Sequence, residues 1–107
     1  WTSYDPGEHD VIIDLGSAGD RGKVLLRMLN SQKDGIVPPE TVFLFKSPDG
    51  KRWTLDQIRQ TPVFPNTRHD TFVDCLLFDS LSPDTRYIKL TFRSRYRTMM
   101  DEIRFIE

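Results

Sequence analysis

At 107 residues the chain is read as a single domain over 1–107, with room for one hydrophobic core and little more. A hydrophobic share of 37% and a charged share of 29% exclude a disordered chain, and no apolar run approaches the roughly 20 residues of a membrane helix. The balance of 15 basic and 16 acidic residues leaves a net charge of −1, so neither nucleic acid nor a membrane surface is an expected partner.

The sequence opens on Trp1 rather than Met and shows no signal-peptide pattern, which reads as a piece of something longer. Val11–Leu15 is a first strand, closed by Gly16. The segment 16–22 that follows is glycine-rich, like a phosphate cradle. It lacks the Lys-Ser/Thr ending, and it leads into β-like sequence rather than the helix whose N-terminus would hold an anion. It is therefore read as a strand connection. Lys23–Leu29 is apolar on both faces except at Arg27, which predicts a strand lying centrally or under a covering loop. Pro38 and Pro39 make 35–39 a connector, because paired prolines cannot sit in a central strand.

Thr41–Lys46, rich in branched and aromatic residues, runs into the turn Ser47–Trp53. There Pro48 presets φ, Asp49 can hydrogen-bond its own backbone, and Gly50 takes positive φ without steric cost. This is the strongest local hairpin signal in the chain. Leu55–Gln60 reads as a helical turn stopped by Pro62, and Phe64–Asp70 as a polar loop. Thr71–Phe78 is a strand carrying Cys75, the only cysteine, which is expected to be a small buried hydrophobe. Ser80–Asp84 is a turn. Tyr87–Arg93 alternates, with Ile88, Leu90 and Phe92 on one side, before a loop over Ser94–Met100 and a last strand over Glu102–Ile106. A period of two almost throughout, with no long amphipathic helix, predicts an all-β sandwich.

Catalytic constellations are not found. His9 and His69 lie far apart with no third ligand marked, and several aspartates (Asp20, Asp49, Asp84) fall in turns. With 16 acidic residues, carboxylate pairs arise by number alone, so the reading is of a non-enzyme.

Four landmarks carry a resemblance. Ile13-Asp14-Leu15-Gly16, Ser47-Pro48-Asp49-Gly50 with Trp53, Thr85-Arg86-Tyr87-Ile88-Lys89-Leu90, and Asp101-Glu102-Ile103 match in order and spacing. Together they resemble the discoidin, or coagulation-factor type C, superfamily over residues 11–107. The connector at 35–39 is also similar to variants appended to bacterial glycoside hydrolases. The resemblance implies a galactose-binding-like jelly-roll β-sandwich. It implies a non-catalytic role, towards a glycan or a neighbouring catalytic domain, in a secreted, periplasmic or cell-surface setting. It implies no cofactor beyond a structural calcium, whose glutamate Glu102 matches; the Asp-Gly loop that completes such a site in relatives has no counterpart here. Whether the family's first strand is present stays open, and a chain without it exposes a neighbouring edge.

In sugar-binding relatives the site lies on loops at one end of the sandwich. A sugar's apolar C–H face stacks on a ring while its hydroxyls need fixed donors and acceptors. Two loops carry those residue types: Asn66, Arg68 and His69 on one, Arg95, Tyr96 and Arg97 on the other. Tyr96 is the expected platform, with Arg68, His69, Arg95 and Asn66 as polar partners. The alternative is that these arginines are solvated loop charges and Tyr96 packs on the rim. Trp53 is expected in the core, where the family usually buries it. Three readings follow: a glycan-binding module, a structural domain packed against a catalytic one, and a protein- or lipid-headgroup-binding module. Polar residues at Asn30–Asp34 disfavour the last.

Overall fold

The period-two patterning becomes eight strands in the computed structural model, which describes residues 2–15, 23–31, 34–61, 72–79, 81 and 85–106, without the side chains of 72 and 101–106. They are β1 (Thr2–Tyr4), β2 (Gly7–Asp14), β3 (Lys23–Asn30), β4 (Thr41–Ser47), β5 (Thr54–Gln60), β6 (Phe72–Phe78), β7 (Tyr87–Ser94) and β8 (Thr98–Ile106). They form two four-stranded antiparallel sheets, ordered β1-β8-β3-β6 and β2-β7-β4-β5. This wiring is that of a jelly roll, with no α-helix among the described residues.

The core lies between the sheets. Val24, Leu26 and Met28 of β3 and Leu76 and Phe78 of β6 meet Val42 and Leu44 of β4 and Ile88, Leu90 and Phe92 of β7. In β3 and β7, and in β4 up to the bulge after Leu44, every second residue is buried, the geometric result of side chains alternating across a pleated strand. β3 lies inside its sheet between β8 and β6, the central one of the two placements its apolar reading allows. Its outward Leu25 and Leu29 are half-buried, opposite Leu77 and Val73 of β6.

Four expectations are corrected. Leu55–Gln60 is part of strand β5 rather than a helical turn, paired with β4 from Thr41↔Gln60 to Lys46↔Thr54 across a bulge. A single helical turn is costly to nucleate, whereas the open edge of β4 satisfies this segment's backbone at once. The loop expected over Ser94–Met100 shrinks to a turn at 95–97, and β8 begins at Thr98. Its polar residues are buried there: Ser94 Oγ and Thr98 Oγ1 lie 2.6 Å apart and hydrogen-bond each other. Cys75 is exposed, because strand parity turns Leu76 and Phe78 inward and places Cys75 opposite the half-buried Arg27. Trp53 lies outside the core cluster. It is half-buried on the outer face, where Lys89 Nζ sits 4.8 Å from its ring centre and 5.0 Å from that of Phe45.

The edges β5 and β6 face each other across the sandwich and are held by side chains. Arg59 Nε donates to the Leu77 carbonyl at 3.1 Å, and Gln57 Nε2 donates to the Asp79 carbonyl at 2.5 Å. Arg59 also pairs with Asp79 at 3.3 Å. An inward-reaching arginine that occupies edge carbonyls leaves less of the edge open to another strand.

Candidate functional site

A cleft of about 730 Å³ opens at one end of the β2-β7-β4-β5 sheet, lined by Pro6, Gly7, Glu40, Thr41, Phe43, Arg93, Ser94 and Arg95. Its size falls within the range of ligand pockets. Three chain segments meet there because of the strand register. Gly7, at the start of β2, pairs with Ser94 at the end of β7, and β4 enters beside them, with Val42 against Phe92.

The apolar side of the cleft is Phe43. Val42 and Leu44 are buried in the core, so alternation turns Phe43 to the outer face, where it is half-buried opposite Thr91. Arg93 is exposed on the same face of β7. Glu40 and Arg95 close the end with an ion pair of 3.1 Å, both side chains largely exposed. At that exposure the pair contributes little stability and leaves its remaining donors and acceptors available. Gly7 takes a φ of 129°, which side chains rarely adopt, and a Cβ placed there would meet nothing within 4 Å. The rim is therefore bare at that point.

The connector before β4 is pinned to the turn before β8. Val37 N–H donates to the Arg97 carbonyl at 2.9 Å, and Arg97 N–H donates to the Gly35 carbonyl at 3.2 Å. Beneath them Thr98 Oγ1 donates to the Val37 carbonyl at 3.3 Å. Tyr4, His9 and Phe92 cluster behind this end with ring centres 5.2–5.5 Å apart, Tyr4 meeting the other two edge to face. His9 Nε2 lies 2.6 Å from the Asp5 carbonyl; a carbonyl only accepts, so the proton is on Nε2. Arg97 pairs with Asp5 at 3.8 Å.

The opposite end carries the perturbed groups. Asp49 is held down from 3.8 to about 2, chiefly by backbone N–H groups of Arg52 and Lys51, which donate to its Oδ1 at 3.0 and 2.9 Å. The Arg86 guanidinium is pushed up, first by its hydrogen bond to Asp14 at 3.4 Å.

Of the sequence-predicted site residues, Arg95 lines the cleft. Tyr96, one position on, is 58% exposed and is not part of the lining. Asn66, Arg68 and His69 lie outside the described residues. The strands flanking their segment end and begin at the cleft end, where Gln60 pairs with Thr41 and Phe72 with Asn30. Glu102 pairs with Arg27 through the backbone of β8, and its side chain lies outside the described set. Among the described residues no group of three or more His, Cys, Asp or Glu could hold a metal. Phe43, Glu40 and Arg93 were missed by sequence reasoning. One signal could have found Phe43: once Val42 and Leu44 are assigned inward, an aromatic between them must face out.

A second feature lies on the same outer face. Ile12, Leu55 and Ile58 are 59%, 46% and 47% exposed. By register Leu55 pairs with Phe45 and Ile58 with Phe43, and Ile12 lies opposite Lys89. Leu55 and Ile58 thus join Phe45 and Phe43 in an apolar patch on β4 and β5, from which Lys89 separates Ile12 on the far edge strand.

Comparison by sequence finds no matching family model and no matching curated protein. Among solved structures, the chain is similar to the crystal structure of the K2 cleaved adhesin domain of Lys-gingipain, with a TM-score of 0.60 at 16% identity. The match covers 94% of this chain and 63% of that one, so this chain spans less than two thirds of the structure it matches. At that identity the likeness is one of fold, a two-sheet β-sandwich.

Proposed function

We propose that the chain is a non-catalytic module that binds a carbohydrate in the Phe43 cleft, as part of a larger secreted or surface protein. The observation that carries this reading is a half-buried aromatic ring in a concave site, with the exposed Glu40–Arg95 pair beside it. Phe43 offers the apolar face on which a pyranose stacks. Glu40 accepts from hydroxyls and Arg95 donates to them. The fold shared with an adhesin domain, and the resemblance to modules appended to glycoside hydrolases, support an accessory role. In this reading Arg95 is a polar partner, and the platform is Phe43 rather than Tyr96. Glu40 is the cleft's only carboxylate among the described residues and is tied to Arg95, so binding in this reading is indifferent to calcium.

The test is titration calorimetry against a panel of monosaccharides and oligosaccharides, with the parent and Phe43→Ala compared. Weak binding that is lost in Phe43→Ala, with an unchanged melting temperature, supports the reading. Binding that survives Phe43→Ala moves the site elsewhere, and no binding by the parent chain removes it.

The exposed apolar patch of Leu55 and Ile58 beside Phe43 and Phe45 favours a second reading, a structural domain docked on a neighbouring domain through this face. In that case the same titrations find no sugar.

A further inference from the structure

We propose that the sugar taken in the cleft is an acidic one, whose carboxylate or sulfate is read by Arg93; this rests on the carbohydrate reading above. Three arginines stand at this end, and two are engaged. Arg95 pairs with Glu40 at 3.1 Å and Arg97 with Asp5 at 3.8 Å. Arg93 lines the cleft, is exposed, and has no ion-pair partner among the described residues. Glu8 faces it across the β2–β7 register without closing an ion pair. Among the lining residues themselves two guanidiniums stand against one carboxylate, which leaves Arg93 as the lining charge with no group at ion-pair distance among the described residues.

A neutral sugar does not require that charge, because the Glu40–Arg95 pair already supplies an acceptor and donors for hydroxyls. The planar guanidinium fork of Arg93 matches an oxyanion in two parallel hydrogen bonds. Its position on the strand suits the task. Phe43 pairs with Thr91, and Arg93, two residues further along β7, is its diagonal neighbour on the outer face. Ring and guanidinium therefore share one face of neighbouring strands. A pyranose stacked on Phe43 with an exocyclic acid group spans that diagonal of about 7–8 Å, with the long Arg93 side chain reaching back towards it. Glu40 does not repel that acid, since its own charge is neutralised by Arg95.

The experiment titrates the chain with glucuronate, galacturonate and a 6-sulfated hexose against glucose and galactose, in low and high salt, and repeats the series with Arg93→Gln. The expected result is that the acidic sugars bind about tenfold or more tightly than the neutral ones, a preference that shrinks in high salt and disappears in Arg93→Gln. The melting temperature stays at the parent level in that variant, and neutral-sugar affinity falls much less than acidic-sugar affinity. The relative strength of uronate and sulfate ester separates the two sources of the acid group. Equal affinity for acidic and neutral sugars overturns the inference while the carbohydrate reading stands. So does an Arg93→Gln variant that weakens all sugars alike. Failure of every sugar to bind the parent chain overturns both.

Discussion

The two ends of the sandwich use the same kinds of residue to opposite effect. At the hairpin end, Ser47, Asp49 and Gly50 turn their polar groups on their own backbone. Ser47 Oγ accepts from Gly50 N–H at 2.8 Å and donates to Asp49 Oδ1 at 3.1 Å, and that same oxygen accepts from Lys51 and Arg52 N–H. At the cleft end the polar side chains reach between segments: Arg95 to Glu40, Arg97 to Asp5, Thr98 to Val37. A turn whose donors and acceptors are spent locally is rigid and has little left for a ligand. Segments joined only at their rims leave a hollow between them, and there a site can form.

The sharpest way to break the cleft end is from behind. Phe92 is 1% exposed and packs edge to face on Tyr4 and tilted against His9, so Phe92→Ala is expected to cost about 3–5 kcal/mol in denaturant unfolding. Any fold that survives should lose sugar affinity with it. The hairpin end responds more mildly and separately. Gly50 has a φ of 78°, and an added Cβ would lie 3.4 Å from the Tyr87 ring. Gly50→Ala is expected to cost about 1–2 kcal/mol from the left-handed backbone while sugar titrations stay at the parent values. A parallel loss of binding would show that the two ends are coupled. The smallest effect is acid loosening of the hairpin. Asp49 titrates at about 2 in the fold against 3.8 ordinarily. A depressed carboxylate stabilises the fold above its unfolded value and stops doing so as pH falls through its folded one. The contribution should therefore fade from about pH 4 down to about 2, seen as a small pH slope in the melting temperature that Asp49→Asn removes.

The hairpin was legible because its chemistry is local. Pro48, Asp49 and Gly50 each act within four residues, and the structure places them as the turn residues require. The strands β3, β4 and β7 were legible for a related reason, since burial on one side of a pleat leaves a period of two. β5 was not, because Leu55–Gln60 has no strong preference of its own and becomes a strand only against the edge of β4. Cys75 and Trp53 were misplaced by the same gap: an apolar residue in or beside a strand does not reveal which face is the core. The cleft was half legible. Arg95 was named from its loop, while Phe43 was hidden inside a strand read only as rich in branched and aromatic residues.

The sequence alone determined the all-β class, most of the strands and the closed hairpin, because alternation and turn chemistry act between near neighbours. Tertiary structure decided which face of each strand turns outward and which distant segments meet. Glu40, Phe43, Arg93 and Arg95 come together only because β2, β4 and β7 lie side by side, and register between strands far apart in the chain is set by the packed core.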